Sequence, residues 1–187
     1  MHGLNMTTFL FFGILSIPVI VLSWRTLFQV NSHGFYRFFS WECIIWLFVS
    51  NYPYWFDNPF SSKQWISWIL LFISVYLVIS GTLLMKKKGK PGKSRNEKPL
   101  YAFENTTELI DGGIFRYIRH PLYSSLLFLI WGIFFKHTTT LLFCVSVVST
   151  VFLFLMAIAD EKECIRFFGD AYKVYMKRTK RFIPFIL

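Results

Sequence analysis

Residues 64–85 read QWISWILLFISVYLVISGTLLM, a stretch without one charged side chain, and residues 86–95 follow with KKKGKPGKSR. A helix that crosses the hydrocarbon core of a bilayer needs about 20 mostly apolar residues. This stretch is long enough, and the run of cations after it stops the helix at a headgroup layer. Four more segments extend the pattern on either side, at 7–24, 38–56, 121–135 and 139–158. The segment at 38–56 is the weakest, because Glu42, Asn51 and Pro53 interrupt it. Composition agrees: 55% of the 187 residues are hydrophobic and only 16% charged, against about 45–50% and about 25% in a soluble domain. Disordered, collagenous and disulfide-scaffold classes are excluded by the same figures. The expected fold is therefore all-α, a polytopic bundle of about five transmembrane helices in one integral membrane domain spanning 1–187. Its parts are three N-terminal spans over 1–85, a basic cytoplasmic linker over 86–105 and a C-terminal half over 106–187.

Lysine and arginine set the orientation. With the N-terminus outside, the inner segments are about 25–39, 86–120 and the tail from 160, which hold eighteen of the twenty basic residues. Only Lys63 and Lys136 fall on the outer side. The N-terminus is thus expected outside and the C-terminus in the cytoplasm. No positive n-region precedes the first span and no small-x-small site follows it, so it reads as a retained helix. The net charge of +10 then reflects a positive-inside stop that touches anionic headgroups, with no nucleic-acid partner. Cys43, Cys144 and Cys164 show neither pairing nor metal-ligand spacing, and no metal is expected.

Polar chemistry gathers in two inner segments. In 104–123, Asp111-Gly112-Gly113 signals a turn, and Arg119-His120-Pro121 marks a helix start with proline in the first helical position. In 160–184, Asp160, Glu161 and Glu163 are expected in the first turn of a new helix, where acids suit the dipole. Gly169-Asp170 should divide the tail into two helices, the aspartate capping the second. Ile165, Phe168, Tyr172, Tyr175 and Met176 form an apolar face, so the tail is an amphipathic helix that lies on the membrane or folds under the bundle. Together these segments put an acidic cluster and a His/Arg/Tyr cluster at one mouth of the bundle, which makes that mouth a functional-site hypothesis.

Arg-His-Pro-Leu-Tyr at 119–123, the acids Asp160-Glu161, Phe-Gly-Asp-Ala-Tyr at 168–172, Tyr175 and Arg-Phe-Ile-Pro at 181–184 resemble the isoprenylcysteine carboxyl methyltransferase and phospholipid methyltransferase superfamily. The resemblance covers about Thr106 to Pro184. It implies a membrane-embedded methyltransferase that uses S-adenosyl-L-methionine and acts on a lipophilic or small acceptor reached from the bilayer. By position it implies a cofactor pocket of Thr107, Glu108, Leu109, Ile110, Phe115, His120, Pro121, Leu122, Tyr123 and Asp160. Arg119, Glu161 and Arg181 are implied as catalytic, with either Asp160 or Glu161 as the functional acid.

One departure concerns the acceptor. In the prenylcysteine enzymes an arginine shortly before the acidic pair holds the substrate carboxylate, whereas Leu-Met-Ala-Ile-Ala at 155–159 has no basic residue. A carboxylate acceptor would lose a charge-assisted bond worth about 1.5–3 kcal/mol. An amine headgroup or a thiol is equally open. Two other readings remain: an NADPH-dependent sterol-type reductase, which shares a related Arg-His-Pro-x-Tyr segment, and a non-catalytic scaffold of the same fold. Ser124-Ser125 stand where a Gly-Glu pair follows the tyrosine in the reductases.

Overall fold

A computed structural model describes residues 6–30, 32–89 and 107–186. Residues 90–105 of the expected basic linker lie outside the described residues. The helices are α1 (Met6–Leu27), α2 (His33–Asn51), α3 (Ser62–Lys88), α4 (Pro121–Phe134), α5 (Thr140–Phe168) and α6 (Asp170–Arg178). Short 3-10 turns lie at Tyr52–Tyr54 and Gly113–Arg116. There is no strand among the described residues; the fold is an all-α membrane bundle. By length and composition α1, α3 and α5 can each cross a bilayer. The two remaining bundle helices are α2, which carries Arg37 and Glu42, and the 14-residue α4.

Local chemistry sets the starts. Ser32, Ser61 and Thr139 are N-caps whose hydroxyls accept from the amides of Phe35, Gln64 and Leu142, satisfying donors that the first turn leaves orphaned. Pro121 occupies the first turn of α4.

Three expectations are corrected. The second helix begins at His33 rather than near 38, because the Ser32 cap nucleates it, and it ends at Asn51, where Pro53 forces a 3-10 turn. The fifth helix does not stop at 158 but runs on to Phe168. Asp160, Glu161 and Glu163 are therefore interior to α5 and are not the first turn of a new helix; Ala157, Ala159, Glu161 and Lys162 are good helix formers, and nothing there breaks the pattern. Gly169, at φ +63°, does end α5, but Asp170 is the first residue of α6 and pairs with Lys173 instead of capping.

Small and polar residues share the interior with an apolar core that includes Leu47, Ile130, Leu153 and Met156. α1 buries Ser16, Ser23 and Thr26 while Phe9, Leu10, Phe11, Ile14 and Val21 face outward. Hydrocarbon solvates leucine as well as another helix does, so helices associate through close packing and polar bonds. Ser67 donates to the Gly132 carbonyl (2.7 Å), Ser74 to the Ser125 carbonyl (2.7 Å) and Asn51 to the Ile133 carbonyl (2.7 Å). Ser16 donates to Glu42 (2.6 Å), and the Ser40 and Ser149 hydroxyls meet at 3.2 Å. The broadest interfaces join α3 to α4, α2 to α5 and α1 to α2. At the end away from the basic residues, Lys136 is buried over the Trp68 ring (3.6 Å) and donates to Gln64 (2.9 Å).

The α3–α4 contact depends on missing side chains. A Cβ on Gly132 would sit 2.9 Å from Leu71 Cδ2, and one on Gly81 2.7 Å from Leu122 Cδ1. Gly132→Val is expected to cost about 1–3 kcal/mol and to lower the thermal midpoint in detergent, read by tryptophan fluorescence. Gly13→Ala, on the open face of α1 where nothing lies within 4 Å, should not lower it, since alanine favours the helix over glycine.

Candidate functional site

The site begins at the turn beneath α3. Thr107 N–H donates to the Gly89 carbonyl (2.9 Å), bringing the chain back to the end of that helix. Gly113 then adopts φ +60° where a Cβ would lie 2.6 Å from Leu84, so glycine is required twice over. The 3-10 turn that follows buries Phe115 and delivers Arg119 and His120 to the start of α4.

The C-terminal segment closes the site from below. Arg119 N–H donates to the Lys180 carbonyl (2.7 Å), His120 N–H to the Arg181 carbonyl (3.2 Å) and Lys180 N–H to the Tyr117 carbonyl (2.9 Å). Phe182 is buried against the Phe154 ring, and the Ser124 hydroxyl lies 2.8 Å from the Phe182 carbonyl. α6 folds under the bundle: Tyr172 and Tyr175 are buried with Cys164, and the Tyr175 hydroxyl donates to the Phe115 carbonyl (2.7 Å).

Glu161 sits at the centre of this closure. Arg119 Nε and Nη2 both approach Oε1 at 2.9 Å, Arg181 Nη2 donates to Oε2 at 2.8 Å, and His120 Nε2 lies 3.4 Å from Oε1. Arg119 Nη1 also donates to the Thr179 carbonyl. The Arg181–Glu161 bond holds the guanidinium above its ordinary range. The clamp thus engages all three residues implied as catalytic, Arg119, Glu161 and Arg181.

Next to the clamp lies an open cavity with about 100 Å³ of space for water-sized molecules. It is lined by Glu108, Leu109, Ile110, Phe115, His120, Pro121, Leu122, Tyr123 and Asp160, and Arg119 forms an edge. Thr107, the remaining implied cofactor residue, is not in the wall. Asp160 rather than Glu161 faces the cavity; it accepts from the Tyr123 hydroxyl (3.2 Å) and lies 3.3 Å from His120 Nδ1. The His120 and Tyr123 rings stack, 5.1 Å apart and 7° from parallel. Burial alone would lower the basicity of His120, but Asp160 and Glu161 more than offset it, so the imidazole titrates above its ordinary value. Burial, reinforced by the negative charge nearby, holds the Tyr172 phenol far above its ordinary value and neutral.

Met85, Cys164, Phe168, Tyr172 and Tyr175 also line the cavity. Of these, Phe168, Tyr172 and Tyr175 stand on the apolar face read from sequence, while Met85 and Cys164 carry no signal that singles them out. One buried pair was missed entirely. His33, fully enclosed at the start of α2, meets Glu163 of α5 at 2.5 Å although they are 130 residues apart. A lone histidine ahead of an apolar run looks like a cap until the fold supplies its partner.

Fold and site together define a polytopic helical membrane protein with a mainly apolar, aromatic-walled cavity at one helix mouth, into which His120, Arg119 and Asp160 bring polar groups. Residues 62–171 match the phospholipid methyltransferase family, and the chain belongs to that family. The match begins at α3, earlier than the motif-bearing C-terminal half. Among its relatives are methanethiol S-methyltransferase 1 of Bradyrhizobium diazoefficiens, 24% identical over 63% of this chain and 38% of the relative. A probable protein-S-isoprenylcysteine O-methyltransferase of Oryza sativa is 28% identical over 64% of this chain and 63% of the relative. The protein-S-isoprenylcysteine O-methyltransferase of Schizosaccharomyces pombe is 35% identical over 42% of this chain and 34% of the relative. The chain thus spans about two fifths of the length of the methanethiol enzymes it matches. No solved structure matches it.

Removing one partner from a buried ion cluster leaves the others uncompensated, at about 3–5 kcal/mol. Glu161→Gln should therefore lower the thermal midpoint more than any surface change, as scanning fluorimetry in detergent can read. For His120 the sign follows from its raised folded-state pKa: its contribution is complete below the ordinary value and lost as pH rises through the folded one. The gap in midpoint between wild type and His120→Gln is expected to be widest below about pH 6 and to close on the alkaline side.

Proposed function

We propose that this chain is a membrane-embedded methyltransferase that binds S-adenosyl-L-methionine in the cavity beside Asp160 and methylates a lipophilic or small acceptor. The observation that carries the proposal is the donor set of that cavity, formed within the segment that matches the family. When bound, the cofactor supplies an electrophilic methyl group on a sulfonium. Such a ligand needs an acid near its cationic end, a cation or donor near its carboxylate and an aromatic wall for its adenine. Asp160 offers the acid, Arg119 and His120 the donors, and Phe115, Phe168 and Tyr172 the wall.

The chain's residues act by holding and shielding. The Tyr123 hydroxyl and His120 fix the orientation of the Asp160 carboxylate. Arg119, Arg181 and Glu161 brace the C-terminal segment beneath the cavity; in this reading their part in catalysis is to keep reactants aligned and water out, which supplies most of the rate in a group transfer. The acceptor would arrive from the bilayer, and the site would face the cytoplasm, on the side where the basic residues concentrate.

The test is cofactor binding to the purified chain in detergent, by calorimetry, with S-adenosyl-L-methionine and NADPH in parallel. Saturable binding of the former is expected, weakened about tenfold or more by Asp160→Asn, as loss of a charge-assisted bond of about 1.5–3 kcal/mol requires. Binding of NADPH in its place would make the chain a reductase; binding of neither to folded protein would leave it a scaffold.

A further inference from the structure

The buried pair of His33 and Glu163 lies outside the cavity wall and has no part in the clamp, yet it adjoins Asp160. A ring nitrogen of His33 stands within 4.8 Å of carboxylate oxygens of both Asp160 and Glu163. His33 is completely buried, its Nδ1 lies 2.5 Å from Glu163, and its backbone N–H approaches the other oxygen of that acid at 3.4 Å. Its Nε2 finds no hydrogen-bond partner among the described residues. Burial lowers the basicity of this ring, but Glu163 and Asp160 more than offset it, so it takes up a proton readily; once Nε2 has given its proton up, the ring keeps Nδ1–H on Glu163 and Nε2 is free to accept another. The side chains of Glu163 and Asp160 are each 15% exposed, that of Asp160 in the cavity wall. Besides these two acids, Arg37, one turn along α2, is the charged group that acts on the ring.

We infer that Asp160, His33 and Glu163 form a proton exit from the cavity, and that the acceptor belongs to the class that sheds a proton on methylation, a thiol or an amine. This inference rests on the methyltransferase reading above. A carboxylate reaches the site already ionised and needs no exit. A thiol or an ammonium does not, and a proton released in a dry site must leave through protein groups. In the step, the acceptor's S–H or N–H bond breaks and its freed electron pair forms the new bond to the methyl carbon. The methyl's old bond breaks with its pair left on the donor sulfur. The acceptor's proton passes to Asp160, on through His33, directly or across one water, and to solvent from Glu163. Asp160 touches the cavity, whereas His33 and Glu163 act through it. The absence of a basic residue at 155–159 agrees, since nothing there would hold a carboxylate.

The experiment uses the full chain in detergent, with calorimetric binding of S-adenosyl-L-methionine measured first and transfer of labelled methyl to dodecanethiol, dodecylamine and S-farnesylcysteine measured second. Methylation of the thiol or the amine over the carboxylate is expected. His33→Gln should lower kcat by about a hundredfold with cofactor affinity and KM unchanged, and the gap should close as pH rises and the acceptor ionises unaided. Because His33 is fully enclosed, Glu163→Gln serves as a second variant, with a smaller loss of the same pH form. Nitrogen-15 histidine spectra of the wild type, with His33 assigned by its loss in the variant, should show the tautomer protonated at Nδ1. Preference for S-farnesylcysteine, variants whose pH profiles match the wild type, or a neutral ring protonated at Nε2 would each overturn the exit. So would activity abolished by a chelator and restored by a divalent cation. Failure to bind S-adenosyl-L-methionine would instead remove the methyltransferase reading itself.

Discussion

Glu161 is the constraint on which the cavity depends. It is a buried carboxylate in the C-terminal part of α5, a placement that costs several kcal/mol unless fully compensated. Compensation comes from Arg119 and Arg181, which belong to the segment leading into α4 and to the C-terminal tail. The charge thereby joins α5, the α4 entrance and the tail at one point. Once they are joined, His120 and Tyr123 have no freedom but to face Asp160, and α6 has no freedom but to lie beneath. The cavity is what remains between these parts.

The same economy governs the membrane interior. Without a hydrophobic force between helices, glycine allows close approach, and serine and asparagine supply hydrogen bonds across the contacts. Ser67 and Ser74 stitch α3 to α4, and Ser40 meets Ser149 between α2 and α5. At the far end, Lys136 is kept by the Trp68 face and Gln64. These bonds hold the helix ends rigid enough for side chains from α2, α4 and α5 to converge at one mouth.

Much of this was legible in the chain. A bilayer is a uniform solvent, so runs of apolar residues announce helices, and the cations after Met85 fall in the last turn of α3, which Gly89 ends. Arg119-His120-Pro121-Leu122-Tyr123 with Asp160-Glu161 announced the site because those residue types cluster at a spacing that composition does not produce. What misled was local reasoning at helix boundaries. Acids at 160–163 look like a helix start, yet α5 runs through them because their purpose is tertiary. Thr107 sits near the site in sequence but outside the wall, since the turn at Gly112-Gly113 carries the chain past it.

The sequence by itself determined that the chain spans a membrane as helices and that its polar chemistry lies at one end, because hydropathy and charge act residue by residue. Only the tertiary structure decided which acid faces the cavity and which is consumed by the clamp. Asp160 and Glu161 are adjacent in sequence and about 100° apart around α5, and their partners come from distant segments. The pairing of His33 with Glu163 was decided in the same way. A contact across 130 residues leaves no periodic trace, for it exists only once α2 has packed on α5.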